Sequence, residues 1–454
     1  MTNCQFVVKT IKDRIIMRNS IVVIAYFFSL ALMGALLLAL PGAWNGANKL
    51  SFIDTAFTAA SAVCVTGLIT VDTANFSLMG KTIILFLIQM GGLGIITFTT
   101  LLLLLPGRRI SFNNRRLIKN FYVEDVEHEP KIIVRNILYL TVGIELAGTL
   151  ILYTRFKHLP GAWFISLFHA VSAFCNAGFS TFSNSLENWN NDPWILTTIS
   201  FLVISGGISF VVIHDIFNHL SGDKPKLSIH TRVVLLTTMC LLIGGTLFYY
   251  WNENDSALKS FSPFLKLLNS FFHSVTPRTA GFNSLPMDSF SPESNIVAIT
   301  LMFIGAAPGS MAGGIKVTTL FLILLALFRG IDDKGDTMIF HRKIPGRLVS
   351  HAGLFFIKAL FLLCLAIFLL SLSERQILRA NEIEIFDLIF EVVSAFGTVG
   401  LSLVTTGKLS SLGKVIIIAT MLSGRIGLIF MASQRIKQYK ERLIEYPQGE
   451  VHTG

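Results

Sequence analysis

Charged side chains are scarce in this chain, making up only 14% of its 454 residues, and no charged or low-complexity tract marks off a soluble domain of useful size. Cysteine is scarcer still. The five present (Cys4, Cys64, Cys175, Cys240, Cys364) are an odd number, and all but the first lie in or beside apolar segments. That pattern excludes a disulfide framework and predicts inert packing residues. No ATP-binding motif, His-Glu-x-x-His motif, close intramembrane Asp pair or nucleophile–base pair is present, so neither ATP-driven transport nor an intramembrane enzyme is indicated.

What the chain does have is apolar surface. It is 52% hydrophobic with a mean hydropathy of +0.65, which places it among integral membrane proteins. Apolar stretches of about 20 residues recur along the whole length, so the first is not a lone signal peptide. We expect spans near 20–40, 82–105, 133–153, 195–213, 233–250, 296–328 (interrupted), 349–372 and 415–431. Read with the N-terminus inside, the inner segments carry 23 of the 37 Lys and Arg, and outer segments and pore loops carry 11. The excess of positive charge predicts eight crossings of the cytoplasmic membrane with both termini cytoplasmic. The net charge of +10 is thus a signal of topology and not of nucleic acid.

Between the paired spans a short half-polar segment recurs four times. The copies run from Phe57 to Gly67 (FTAASAVCVTG), Phe168 to Gly178 (FHAVSAFCNAG), Phe272 to Gly281 (FHSVTPRTAG) and Phe390 to Gly400 (FEVVSAFGTVG). Their glycines are 111, 103 and 119 residues apart, and each follows a hydroxyl residue (Ser61, Ser172, Thr276, Ser394) by five or six positions. Four such segments predict an all-α fold of four pseudo-fourfold units, each a helix, a re-entrant pore loop and a second helix. The units divide the chain at 1–105, 106–213, 214–330 and 331–454. Irregular backbone at membrane depth is tolerated only where protein or a water-filled cavity surrounds it, and four loops meeting on one axis meet that condition.

The expected half-helices (about 54–63, 166–174, 266–276 and 386–395) direct their partly negative C-terminal ends inward, which favours a cation. Glycine there accepts unusual backbone angles and leaves the path clear of side chains. The neighbours Val65 and Thr66, Asn176 and Ala177, Thr279 and Ala280, Thr398 and Val399 are small or neutral. Without a ring of Asp or Glu, the pattern favours a monovalent cation coordinated by backbone carbonyls. His169, His273 and Glu391 occupy matching positions on the half-helices and are expected to hydrogen-bond the scaffold. Glu145, within the third span, is a possible helix-to-helix partner with no assigned function.

A second glycine repeat follows each segment by 24, 28, 32 and 24 residues, beginning at Gly91, Gly206, Gly313 and Gly424. It allows either close helix packing or a role along the pore. In the third unit the run from Ile296 to Gly330 is too long for one crossing, and its middle contains Gly305, Pro308, Gly309, Gly313, Gly314 and Lys316. Pro308 cannot sit inside an unbroken helix, and a broken helix in a membrane usually borders an ion path, so 305–316 is a candidate gate. Arg425 lies mid-span, where a charge is costly and faces a cavity or a partner. Two readings of Arg425 stand, a positive barrier that helps close the gate or a structural brace for the loop. The inner segments 107–117 and 331–337 offer charged surfaces to a regulatory partner or to anionic membrane lipids.

These motifs together (SAVCVTGL at 61–68, FHAVSAFCNAGF at 168–179, RTAGF at 278–282, GSMAGGIKVTT at 309–319, SAFGTVGL at 394–401 and GRIG at 424–427) resemble the Trk/Ktr/HKT superfamily of potassium transporters. The likeness covers nearly the whole chain and is strongest to a Ktr-type membrane subunit (KtrB-like). It implies K⁺ uptake, often with Na⁺ as activator or symported ion, by a homodimer with one pore per protomer. It also implies a cytoplasmic nucleotide-binding regulatory subunit of the RCK type (KtrA-like). By position it makes Gly67, Gly178, Gly281 and Gly400 the filter glycines, 305–316 the gating loop and Arg425 the residue facing it. Leu428 and Ile429 stand where the family often has proline. The other transport reading is an alternating-access carrier for another monovalent cation or small solute, but that would call for inverted repeats.

Overall fold

The structure, a computed structural model, describes residues 23–46, 49–104, 130–222, 225–330, 336–340, 342–403 and 406–427, with backbone alone for 95–104, 130–133, 343 and 426–427. Both terminal tails, the basic stretch 107–117 and most of 331–337 lie outside the described residues.

Among the described residues the regular structure is helical apart from one small hairpin. In order it forms α1 (Val23–Leu38), α2 (Phe52–Cys64), α3 (Leu78–Leu104), α4 (Pro130–Phe156), α5 (Ala162–Phe174), α6 (Pro193–Gly207), α7 (Phe210–Leu220) and α8 (Ile229–Asn252). There follow α9 (Pro263–Val275), α10 (Pro292–Phe303), α11 (Val317–Arg329), β1 (Thr337–Ile339), β2 (Arg342–Ile344) and α12 (Gly346–Ser373). The last elements are α13 (Arg375–Arg379), α14 (Ile385–Gly397), α15 (Ser411–Leu422) and a π-helical turn at Ser423–Gly427.

By length and apolarity α8, α12 and the Val134–Phe156 part of α4 can each cross a membrane among the described residues, and α6 with α7 makes a fourth candidate bent by 98°. Large apolar side chains such as Phe28, Tyr139, Phe201, Leu247 and Phe361 stand exposed on the helix surfaces. An apolar exterior of that extent needs lipid around it and not water.

The glycine segments each end a helix of 13 residues: α2, α5, α9 and α14. These start one to four residues before the positions expected from sequence, where the chain supplies starting signals. Ser51 caps α2 by accepting from Ile53 N–H, Pro263 opens α9, and Glu384 and Asp387 form a reciprocal capping box at α14. The helix after each segment packs against the half-helix of the next group: α3 on α5, α6 on α9, α10 on α14 and α15 back on α2. This packing closes into a ring. Lys414 of α15 pairs with Asp54 of α2 at 2.8 Å and fastens the last group to the first.

A second device recurs in three of the four groups, at the far end of the half-helix, where the long helix meets the start of the next full helix. Glu253, at the end of α8, accepts from Ser291 N–H and Oγ at 3.1 and 2.7 Å, and Ser291 caps α10. Glu374, at the end of α12, likewise accepts from Ser410, which caps α15. In the second group the charge is reversed in place: Asp192 caps α6 and receives Arg155 of α4 at 2.7 Å.

One expectation is corrected. The span read as continuous from 195 to 213 breaks at Ile208–Ser209. Ser209 caps a new helix by accepting from Val211 N–H, so the glycine pair before it ends α6 and α7 leaves at a steep angle.

Candidate functional site: four glycines in a closed ring

Each half-helix runs out into the same three-residue backbone pattern. Two residues before the glycine, Val65, Asn176, Thr279 and Thr398 have left-handed φ values of 56, 58, 74 and 52°. The glycines have φ of 90, 70, 74 and 98°, while the residue between is not left-handed in any copy. A left-handed non-glycine residue costs about 1–3 kcal/mol, and three of the four here are β-branched, the least tolerant type. Backbone bonds offset part of that cost: Thr66, Ala177, Ala280 and Val399 donate their N–H to the carbonyls of Ser61, Ser172, Thr276 and Ser394 at 2.7–2.9 Å.

The hydroxyl side chains of those four residues complete the hold, in two ways. Ser61 and Ser394 accept from the N–H of Gly67 and Gly400 at 3.0 and 3.1 Å. Ser172 and Thr276 donate instead to the carbonyls just past the glycines, Phe179 and Phe282, at 2.7 and 2.5 Å.

The four glycines form a closed circuit. A methyl group added at Gly67 would lie 3.1 Å from Gly178 Cα; at Gly178, 3.0 Å from Gly281 Cα; at Gly281, 3.2 Å from Gly400 Cα; and at Gly400, 3.0 Å from Gly67 Cα. Each added methyl would also strike the carbonyl oxygen of the residue before the neighbouring glycine (Ala177, Ala280, Val399 and Thr66 in turn). Segments 111, 103 and 119 residues apart in sequence thus meet at near van der Waals contact, where any side chain would close the space. Beside them Thr66 Oγ1 and Thr398 Oγ1 are buried with no hydrogen-bond partner among the described residues.

The matching half-helix residues brace the chain beyond the ring. His169 Nε2 lies 3.0 Å from Ser180 Oγ, His273 Nε2 lies 3.2 Å from Ser284 Oγ, and Glu391 accepts from Ser402 at 2.8 Å and from Thr406. Asn176 is satisfied when its amide nitrogen donates to the Val203 and Ala173 carbonyls at 3.1 Å and its oxygen accepts from Thr279 Oγ1 at 3.3 Å, a side-chain bond between the second and third segments.

The second glycine repeat packs helix on half-helix in three copies. Methyls at Gly91, Gly206 and Gly424 would strike the carbonyls of Val63, Phe174 and Phe396, each four residues before a ring glycine. The third copy departs from this pattern. There Gly313 meets Thr398 Oγ1 and Gly397 O, so the 305–316 segment lies against the fourth glycine segment.

The loop between α10 and α11 holds all six sequence-chosen residues. Gly305 is packed against Gly313, Gly309 and Gly314 have φ of 76 and 63°, and half-buried Pro308 lies where no helix continues. Lys316 Nζ donates to the loop's own Ala312 and Gly313 carbonyls at 2.7 and 3.2 Å. Arg425, in the π-helical turn, is 7% exposed; its Nη1 donates to Met311 O at 2.5 Å and its Nη2 to Gly91 O at 3.0 Å. Hydrogen bonds from a charged donor contribute about 1.5–3 kcal/mol each, so Arg425 is a major restraint on the loop.

Sequence reasoning missed the loop's other anchor. Ala307 N–H donates to Gly207 O and Met311 N–H to Gly206 O, both at 3.1 Å. The 98° break between α6 and α7 frees those carbonyls from helical bonding, and the loop takes them up. Ser209 capping a fresh helix was the available signal.

The sequence profile of TrkH, described as a cation transport protein, matches residues 8–445. The chain belongs to the TrkH family of cation transport proteins. It is therefore a membrane transporter and not an enzyme. It is 39% identical over 441 residues to the Ktr system potassium uptake protein B of Bacillus subtilis, covering 94% of this chain and 95% of that one. It is 36% identical over 439 residues to the potassium/sodium uptake protein NtpJ of Enterococcus hirae, covering 95% and 96%. Its fold is similar to the crystal structure of the potassium transporter TrkH from Vibrio parahaemolyticus, with a TM-score of 0.71 at 18% identity over 91% of this chain and 83% of that one.

Proposed function

We propose that this TrkH-family chain forms a K⁺-conducting pore across the cytoplasmic membrane, with residues 65–67, 176–178, 279–281 and 398–400 as its selectivity filter. The closed circuit of glycines carries the reading. Where φ alternates in sign along a strand, successive carbonyls turn to one side; four such strands around one axis supply rings of neutral oxygen that replace an ion's hydration shell. The half-helices direct their C-terminal, partly negative ends towards the ring and add to its attraction for a cation. Names of relatives, potassium uptake protein and potassium/sodium uptake protein, support K⁺ as the cargo and Na⁺ as a coupled or activating ion.

In this reading the four groups are repeats with division points near 105, 213 and 330, the chain crosses the membrane eight times, and both termini are cytoplasmic. The half-helices enter from outside. The loop 305–316 lies on the cytoplasmic side of the filter and gates it, with Arg425 holding the closed position. The shared name "Ktr system" supports operation within a complex, which we take to be a homodimer of pores on a cytoplasmic RCK-type nucleotide-binding subunit. With no ATP-binding motif, flux follows the electrochemical gradient, inward for K⁺ at a negative-inside potential.

The test is complementation of a bacterium deficient in potassium uptake, with the regulatory subunit co-expressed. Growth at low K⁺ and saturable uptake of a rubidium tracer are expected. Growth without K⁺ dependence, or uptake of an unrelated solute by exchange, would favour the alternating-access alternative.

A further inference from the structure

A buried polar cluster behind the second glycine segment plays no part in the account above. Glu145, midway along α4 and 6% exposed, accepts from Gln89 Nε2 of α3 at 3.3 Å. The fully buried thiol of Cys175 donates to Gln89 Oε1 at 3.5 Å and to Glu145 Oε1 at 3.9 Å. Cys175 immediately precedes Asn176, the left-handed residue of that segment. Among the described residues Glu145 takes part in no ion pair.

We propose that Glu145, acting through Gln89 and Cys175, is a positioning residue that sets the cation selectivity of the second filter segment. The proposal rests on the reading of the glycine segments as the filter. A buried carboxyl group with no ion pair is costly whether it is ionised or neutral, and an apolar side chain would pack α4 against α3 at lower cost. An ionisable group held at membrane depth therefore points to a task beyond packing.

The second segment is also the one in greatest need of such a brace. Gly67 and Gly400 have their N–H groups held by Ser61 and Ser394, and Gly281 N–H donates to Thr276 O at 3.3 Å. Among the described residues no such bond holds Gly178 N–H, because Ser172 spends its hydroxyl on Phe179 O. The thiol supplies the missing restraint from behind. A methyl added at Gly92 would lie 2.8 Å from Cys175 Sγ and 3.7 Å from Met311 Sδ, so the α3 backbone blocks the thiol on one side while the amide–carboxylate pair holds it on another. Two residues along from Gln89, Gly91 O receives Arg425, so the same stretch of α3 touches both the filter and the loop.

The full-length chain, expressed in the uptake-deficient bacterium, is assayed for the ratio of rubidium-tracer to Na⁺ uptake at matched membrane abundance. Glu145→Leu, Gln89→Leu and Cys175→Val should each lower the ratio about three- to tenfold, the equivalent of one hydrogen bond. Glu145→Gln and Cys175→Ser, which keep a hydrogen-bonding group in place, should stay near wild type. A packing role alone would reduce abundance or total uptake and leave the ratio unmoved. Cys175→Val, close in volume, keeps the test readable if Glu145→Leu does not insert. An unchanged ratio in every apolar variant overturns the proposal when Gly178→Ser does alter the ratio. If Gly178→Ser is also silent, the filter reading falls with it.

Discussion

Arg425 Nη1 donates to the carbonyl oxygen of Met311 across 2.5 Å, and through that contact the fourth group of helices holds the loop of the third. The same guanidinium donates to Gly91 O of the first group, while the loop is bonded to Gly206 O and Gly207 O of the second. One twelve-residue segment, 305–316, is thus bonded directly to the second and fourth groups, and through Arg425 it is tied to the first. A restraint drawn from several sides can hold an otherwise irregular backbone in place, and its release needs only a few bonds to break.

For Arg425→Ala the two charged hydrogen bonds are lost, worth together about 3–6 kcal/mol before relaxation. We expect basal cation flux without the regulatory subunit to rise at least tenfold. Arg425→Lys keeps the charge but reaches the two carbonyls with one compact ammonium, so its flux should fall between the two. Tracer flux into proteoliposomes measures this. Wild-type flux in both variants would leave Arg425 a brace with no gating part.

The hydroxyls that hold the proposed filter should differ in effect by kind. Ser61→Ala and Ser394→Ala strand the N–H of a ring glycine, whereas Ser172→Ala and Thr276→Ala leave a carbonyl short of one donor. An orphaned buried N–H is the costlier defect, about 1–3 kcal/mol. The first pair should therefore lower the K⁺-over-Na⁺ uptake ratio more than the second. Equal effects across all four would show that the hydroxyls act only through helix packing.

At the end of α8, Glu253 is a clasp sensitive to acid. Burial by itself raises its pKa, but hydrogen bonds from Ser294, from the side chain and backbone of Ser291 and from Ser256 outweigh it, so the carboxyl is held below its ordinary value of 4.5. A depressed folded-state pKa means the stabilisation is fully present above the unfolded value and is lost as pH falls through the folded one. Thermal midpoints in mild detergent should therefore fall below about pH 4.5 in wild type. Glu253→Gln should begin lower at neutral pH and lose less on acidification. Parallel pH profiles for the two proteins would remove Glu253 from the account.

Much of this arrangement was legible in the residues because the informative features are local or periodic. The half-helices carry their own starting signals at Ser51, Pro263 and Glu384, and the ring glycines recur with matched Phe and hydroxyl positions. Pro308 marked the loop for the same local reason. The break at Ile208 was harder to read because 195–213 holds no charge or proline, and the carbonyls it frees are taken up by the distant N–H groups of Ala307 and Met311. Glu145 does bond from helix to helix as its place in the third span suggested, but its partners were hidden. They lie 56 and 30 residues away on separate elements, and no pattern along the chain predicts that they touch it.

The account stands most directly on the ring of glycines, where serine at Gly67, Gly281 or Gly400 adds a side chain against the next strand at a φ of 90, 74 or 98°. The decisive measurement is growth of the potassium-uptake-deficient bacterium at low K⁺, with the rubidium-to-Na⁺ uptake ratio, for wild type and these three variants at matched abundance. The account predicts that wild type restores growth and that each serine variant loses growth or selectivity. Wild-type growth and an unchanged ratio in all three would contradict it.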